Sequence, residues 1–530
     1  MATFEILLVL MALCVGLATL ADRLQLPVAV FLVLGGMGLA FVPGLPSVPL
    51  NAELALALFL PPLLQISAYR TDWPAFRSNL RPILVLAIGA VFFSAGAVAV
   101  VAHSLVPDLP WWAAVALGAI VAPPDAVAAT AVLKRFNLPK RLVVVLEGES
   151  LINDASSLVL YRFAVAAVAI GSVDYTTGLL QFVGTAVGGA IVGWLVGHVA
   201  MWVFRHLDDT MLDIAVSLLA GFAAYLAAEA VHASGVLAAV GCGLVLGRKQ
   251  HAEFTARTRI ELNAVWNFVE FLMASLVFML IGLQLHGIVG RLTSFDAATL
   301  ALLGVATSVT LIASRFAWVF FSTWLPRRVS ARLRADDPMP PWSHQTVVAW
   351  AGMRGVVSLA AALALPENFP ARDVIVFLAF CAIFATLIVQ GTTLGWVVRR
   401  LDVIEPEATV LEEDEARARA QIAGAALEAV KAHLHEDADV SEEHREAANE
   451  LVGEYEARAE RLSDVVDDPE QQTAQRDAEH HLRLVAIEAA REKLAEHTDQ
   501  VDAEIHRAIA EELDLEEEQI RSAKVNDSGP

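Results

Sequence analysis

The sequence predicts an all-α polytopic membrane protein with thirteen transmembrane helices, followed by a helical cytoplasmic tail. Three observations carry this. The 530 residues are 56% hydrophobic, and the mean hydropathy of +0.57 lies beyond that of a soluble enzyme. Charge is split: residues 1–400 hold 22 acids and 24 Lys/Arg, residues 401–530 hold 37 acids and 13 Lys/Arg. Two physical regimes follow, a membrane domain over 1–404 and an acidic domain over 405–530. Finally, basic residues alternate between successive connections, as they do when the connections alternate between the two sides of a membrane.

Apolar stretches of roughly 17–25 residues are long enough to span a bilayer. They fall at 3–21, 27–44, 52–69, 82–106, 111–133, 141–170, 177–204, 211–230, 262–289, 297–325, 343–366 and 371–398, and a shorter one at 233–247 completes thirteen. Connections leaving odd-numbered spans carry nineteen Lys/Arg, from Arg23 through Arg70, Arg141 and Arg328 to Arg400. The opposite connections carry two, Arg291 and Arg372. This bias predicts thirteen crossings of the cell membrane, with the N-terminus outside and the tail in the cytoplasm. The first span has no basic leader and no clear cleavage site, and reads as a retained helix.

The sixth span is the anomaly. It contains LEGESLINDASSLVLYRF, residues 146–163, inside an otherwise apolar run. A carboxylate at mid-bilayer costs roughly 2.5–3.5 kcal/mol even on lenient insertion scales, so embedded ionisable groups mark function or pairing. Those at depth are Asp125, Glu147, Glu149, Asp154, Arg162, Glu270, Arg315 and Arg354. Ser150, Asp154 and Ser157 follow i, i+4, i+7 and share one helix face, with Glu149 and Asn153 on the adjacent stripe. A hydroxyl one turn from a carboxylate offers oxygen ligands to a hard cation; Ser157 reads instead as a hydrogen bond to a neighbouring helix.

The fifth span, GAIVAPPDAVAATAVL, carries Pro123 and Pro124, which interrupt the helical hydrogen-bond ladder. Freed backbone groups are tolerated at depth only against protein or a water-lined cavity, a setting that transporters use for ion sites. The twelfth span is interrupted in its turn at Gly352-Met353-Arg354-Gly355. Two interruptions seven spans apart suggest matching places in inverted repeats. Asp125 and Arg354 have opposite signs suited to neutralising the opposed helix ends.

Beyond Pro406 the chain is rich in Ala, Glu, Arg and Leu, with breaks at Asp439-Val440-Ser441 and Asp467-Asp468-Pro469, and predicts several amphipathic helices. Its negative charge argues against docking on anionic lipid and against nucleic acid. Cys14, Cys242 and Cys381 lie in apolar runs at no metal or redox spacing and read as small core residues.

LPPLL at 60–64, PPDAVA at 123–128, EGESLINDA at 147–155, HASGVLA at 232–238, SRF at 314–316, GMRG at 352–355 and QGTTL at 390–394 stand in this order. In these pieces the chain resembles the bacterial NhaP-type relatives of the animal Na+/H+ exchangers, within the monovalent cation:proton antiporter superfamily. LDLEEEQI, at 513–520, resembles the tail of bacterial members. The resemblance implies an NhaA-like fold with inverted repeats and two crossed broken helices, a homodimer in membrane lipid, a dimerisation bundle, and an ion-carrying core that works by elevator-like alternating access. It implies antiport of Na+ or Li+ (or K+) against H+, with no enzyme activity and no cofactor. It places ion or proton on Asp154 beside Asn153, completes the cation site with Asp125, the Pro124 carbonyl and Ser150, and makes Glu149 and Arg315 a structural pair.

Two departures stand out. Many relatives have Thr where this chain has Pro124, and many have an acid where it has Ile66. A membrane hydrolase built on Ser234 and His232 is disfavoured, because these lie at i, i+2 and no G-x-S-x-G elbow is present. A channel would favour a continuous polar path over one buried carboxylate cluster.

Overall fold

The computed structural model describes residues 2–24, 26–42, 52–106, 109–133, 136, 138–170, 175–207, 209–292 and 296–403. In the tail it describes 424–425, 428, 431, 452–453, 482–490, 493, 513, 515–517 and 520. The tail breaks expected at 439–441 and 467–469 lie outside the described residues, whereas 482–490 are helical. The chain divides into two compact units, Met1–Ile404 and Glu405–Pro530.

Every regular element described in the first unit is helical. In order they are α1 (Ala2–Arg23), α2 (Val28–Ala40), α3 (Ala52–Tyr69), α4 (Trp73–Ser78), α5 (Leu80–Leu84), α6 (Val91–Leu105), α7 (Trp111–Val121), α8 (Ala126–Leu133), α9 (Lys140–Ile170) and α10 (Tyr175–Phe204). Then come α11 (Thr210–Ala230), α12 (Gly235–Glu253), α13 (Ala256–Leu283), α14 (Leu285–Arg291), α15 (Ala297–Val329), α16 (Ala331–Asp336), α17 (Trp342–Trp350), α18 (Val356–Leu363), α19 (Arg372–Ala385) and α20 (Gly391–Arg400). Among the described residues, the apolar stretches fall on helical segments, some continuous and some interrupted. Seven continuous helical stretches among the described residues are long and apolar enough to cross a membrane, and α2, the second part of α3, and α7 are shorter apolar helices.

Sequence sets where the helices start. Asp209, Ser234, Thr255 and Asp296 each accept a backbone N–H of the first turn of α11, α12, α13 and α15, satisfying donors that lipid would leave bare. One large apolar core draws on α2, α6, α7, α9, α13, α15 and α17–α20. A second joins α10, α11 and α12 to Ile66 and Tyr69 of α3 and to Leu262 and Trp266 of α13. Large apolar side chains of α10, among them Val187, Ile191, Trp194 and Val199, are about half exposed, as befits a surface bathed in lipid rather than water.

Helices in lipid gain from close backbone approach through small residues. Where α2 meets α13, a Cβ on Gly36 would overlap the Met279 carbonyl, and one on Gly282 would overlap that of Val33. Gly38, on the same helix, has open space around it. Gly282→Leu therefore overpacks this crossing, at a cost of about 1–3 kcal/mol. Size-exclusion profiles and melting curves in detergent should show lost folded yield for Gly282→Leu and none for Gly38→Ala. Equal behaviour of the two variants would refute the close contact.

Candidate functional site: a carboxylate cavity at the crossing of two broken helices

Proline lacks the N–H that a helix interior needs. Pro123 and Pro124 accordingly end α7 at Val121, and the chain runs without helical structure to Asp125 before α8 begins. The second interruption covers Ala351–Gly355, between α17 and α18. The two unwound segments are bonded to each other: the Asp125 amide donates to the Met353 carbonyl at 2.7 Å.

Arg354, 1% exposed, serves the carbonyl ends of the first half-helices. Its Nε donates to the Val121 carbonyl at 2.6 Å and its Nη1 to that of Gly352, while its amide donates to Thr386 Oγ1 at 3.1 Å. Asp125 sits at the start of α8, and a Cβ on Gly355 would overlap its carboxylate. The Asp125 carboxylate therefore also lies against the start of α18. Cation at the carbonyl ends and anion at the amide ends is the arrangement that helix dipoles favour. Arg354 thus hydrogen-bonds backbone carbonyls at both breaks.

Glu149 and Arg315 are 1% and 2% exposed and form a two-pronged ion pair, Nη1 to Oε1 at 2.6 Å and Nη2 to Oε2 at 2.9 Å. Arg315 also donates from Nε and Nη2 to the Val348 carbonyl in the last turns of α17, at 3.3 and 3.1 Å. A Cβ on Gly352 would overlap the Arg315 side chain and crowd Nη1 of Arg354, so only glycine fits there. The pair ties α9, α15 and α17 together.

Asp125, Ser150 and Asp154, with Pro124 and Gly355, line one cavity of about 100 Å³. Asp154 is 6% exposed. Around the same cavity, Arg70 binds Glu270 at 2.7 Å, both side chains partly exposed, and Glu147 also contributes to the wall. Ser157 turns away and donates to the Ala119 carbonyl of α7 at 3.1 Å.

Asn153, expected among the ion ligands, is fully buried and does not line the cavity. Its Nδ2 donates to the Pro124 carbonyl at 2.7 Å, so it holds the break in place and engages one lone pair of the carbonyl expected to face the ion. The amide chemistry explains the difference: a buried NH2 seeks an acceptor, and the unwound strand supplies one. Ile66 packs in the second core and is likewise not a cavity residue.

Several site residues were not singled out from the sequence. Thr386 belongs to a π-helical stretch, Thr386–Gln390, and a second such stretch covers Val85–Ala90. Side chains bind the carbonyls of the latter, Ser156 Oγ to Ala87 at 2.6 Å and Trp318 Nε1 to Val85 at 3.0 Å. Widened turns of this kind cluster near functional sites and leave no hydropathy signal. The Arg162–Glu229 pair, 2.8 Å apart, joins α9 to α11 and was half visible through Arg162 alone.

The profile of the family described as sodium/hydrogen exchanger, transmembrane, matches residues 9–400. An uncharacterized Na(+)/H(+) exchanger of Mycobacterium tuberculosis is 34% identical over 97% of this chain and 96% of its own length. The uncharacterized exchanger YjcE of Escherichia coli is 31% identical over 96% of this chain and 97% of its own. A sodium, potassium, lithium and rubidium/H(+) antiporter of Bacillus pumilus is 31% identical over 93% of this chain and 74% of its own. The fold is similar to that of the sodium proton antiporter MjNhaP1 of Methanocaldococcus jannaschii, with a TM-score of 0.59 at 17% identity over 76% of this chain and 99% of that one. The chain is a multi-pass membrane protein and belongs to the sodium/hydrogen exchanger family. The relatives named are transporters, and the NhaP-type resemblance read from the motifs is met.

Removing one partner of a buried ion pair strands the other, at a cost of roughly 3–5 kcal/mol. Glu149→Ala and Arg315→Ala should each lower folded yield sharply. The double variant should lose less than the two losses added, though not recover fully, because Arg315 also serves Val348. Additive losses in a double-mutant cycle would contradict the contact.

Proposed function

We propose that the protein is a secondary antiporter exchanging Na+ or Li+ for protons across the cell membrane. The observation that supports this most strongly is the meeting of Asp125, Asp154 and Ser150 on one small cavity beside two interrupted helices. An unpaired charge in a dry interior is costly. A carboxylate there is stable either with a proton or with a cation beside it, so Asp154 takes one by releasing the other. Ser150 and Asp125 add oxygen ligands for the cation, and Pro124 adds a carbonyl.

We read thirteen crossings with the N-terminus outside and the tail cytoplasmic, so that the connection carrying Arg70 lies on the cytoplasmic side. The exchange runs by elevator-like alternating access within a homodimer, residues 1–404 forming the transport domain and 405–530 the cytoplasmic one. A K+/H+ exchanger is the second reading, favoured by the relative from Bacillus pumilus whose name includes potassium and rubidium.

Asp154→Asn should insert and fold yet abolish cation-dependent proton flux in proteoliposomes, read by quenching of a pH dye on adding Na+, Li+ or K+. Flux surviving in that variant would sink the assignment, and the cation that moves protons in the wild type separates the two readings.

Exchange should also be electroneutral, one proton per cation. Asn153 stands next to Asp154 and supplies no second proton, and its Nδ2 is committed to Pro124. Vesicles with fixed Na+ and pH gradients, clamped with K+ and valinomycin, should balance at the same gradient ratio whatever the imposed voltage. A balance point that shifts with voltage would require another proton carrier.

A further inference from the structure

Ser358 has no part in the assignments above. It lies in the first turn of α18, three residues after Gly355, whose backbone adjoins the Asp125 carboxylate. It is 1% exposed, and its Oγ is buried without a hydrogen-bond partner. Ser358 is among the residues lining the same cavity as Asp125, Ser150 and Asp154.

A serine inside a helix ordinarily donates to the carbonyl one turn back. Ser358 makes no such bond. A buried hydroxyl left unbonded forfeits its hydration without return, and in a lipid-embedded core no bulk water repairs the loss. Two of its properties then decide what it is for. A hydroxyl oxygen is a hard, neutral ligand that suits alkali cations, and it adds no charge to a site whose charge must be met by a single cation. It also stands on the second broken helix, whereas the expected ligands come from the first break and from α9.

We infer that Ser358 Oγ is a further ligand of the transported cation, completing the oxygen set from the α18 side. This rests on the antiport reading and deepens it. When the cation is bound, α18 is joined to α9 through the ion. When Asp154 is protonated instead, that link is absent. The hydroxyl also gives the site a neutral contact whose fit depends on ion radius, which makes Ser358 a determinant of selectivity between Na+, Li+ and K+.

The test uses the full chain, wild type beside Ser358→Ala and Ser358→Thr. Alanine removes an unbonded hydroxyl from a helix, so folding in detergent should match the wild type without added salt. In proteoliposomes the apparent KM for the preferred cation should rise about three- to tenfold in the alanine variant. The Na+:Li+:K+ preference should change, the maximal rate should stay within about twofold, and threonine, which keeps the oxygen, should restore most of the affinity.

In parallel, melting temperatures are titrated with NaCl, LiCl and KCl against choline chloride, since a ligand of the folded state raises the melting point with its own affinity. Unchanged KM and preference in Ser358→Ala would overturn the inference, and would assign the hydroxyl to a structural water. Absent flux in the wild type would overturn the antiport reading instead. In that case the melting titration still decides the ligand question, since equal cation affinities in wild type and alanine variant would reject Ser358.

Discussion

One backbone hydrogen bond, from the Asp125 amide to the Met353 carbonyl, fixes the geometry on which the membrane unit depends. It joins two segments that have each given up helical bonding, and so turns two local defects into one shared structure. Unwound backbone at this depth has to find partners inside the protein. Here the partners are named: Asn153 for the Pro124 carbonyl, Arg354 for those of Val121 and Gly352, Thr386 for the Arg354 amide. Remove any of them and a polar group is left bare among apolar helices. The crossing persists because groups it frees are met by Arg354 of the break itself and by Asn153 and Thr386 from neighbouring helical segments.

Two kinds of embedded charge surround this crossing, and their surroundings separate them. Glu149 and Arg315 are joined by two bonds, are closed off from the cavity, and hold three helices in register. Asp125 and Asp154 face a space large enough to admit a small ion with little water. The same residue type, a carboxylate on or beside α9, is thereby a fixed strut at 149 and a cavity wall at 154. Five residues along a helix rotate a side chain by well over a right angle, and that rotation alone separates the guanidinium of α15 from the open space.

Much of this was legible in the sequence, for physical reasons. Hydropathy and the alternation of basic residues speak to spans because lipid punishes exposed polar backbone so heavily. Two prolines speak to the first break because they lack the N–H a helix needs, and the glycines at 352 and 355 speak to the second because their conformational freedom holds a helix weakly. Pairing was harder to see. Arg70 reads as a loop residue, yet it reaches Glu270 of α13; Glu229 follows an apolar run and reads as its end, yet it holds Arg162. Ser358 was invisible because a serine in a small-residue helix carries no pattern until its missing partner is seen. The bond of Asn153 to the Pro124 carbonyl was not foreseen, since spacing along a helix gives the face but not the acceptor that waits across it.

The charges around the crossing suggest why one monovalent ion suffices. The Glu149–Arg315 pair balances itself, and Asp154 brings its charge to a cavity whose wall also holds Asp125, Glu147, Glu270 and Arg70. On the proposed reading a proton on Asp154 and a bound alkali cation each cancel that one charge, and the empty form keeps it. A charge so cancelled avoids most of the desolvation that a bare one meets in a low-dielectric surrounding. The empty site is therefore the form most disfavoured during any movement away from water. Coupling of the two fluxes then needs no separate latch. It follows from the single charge that Asp154 leaves bare when neither proton nor cation is bound.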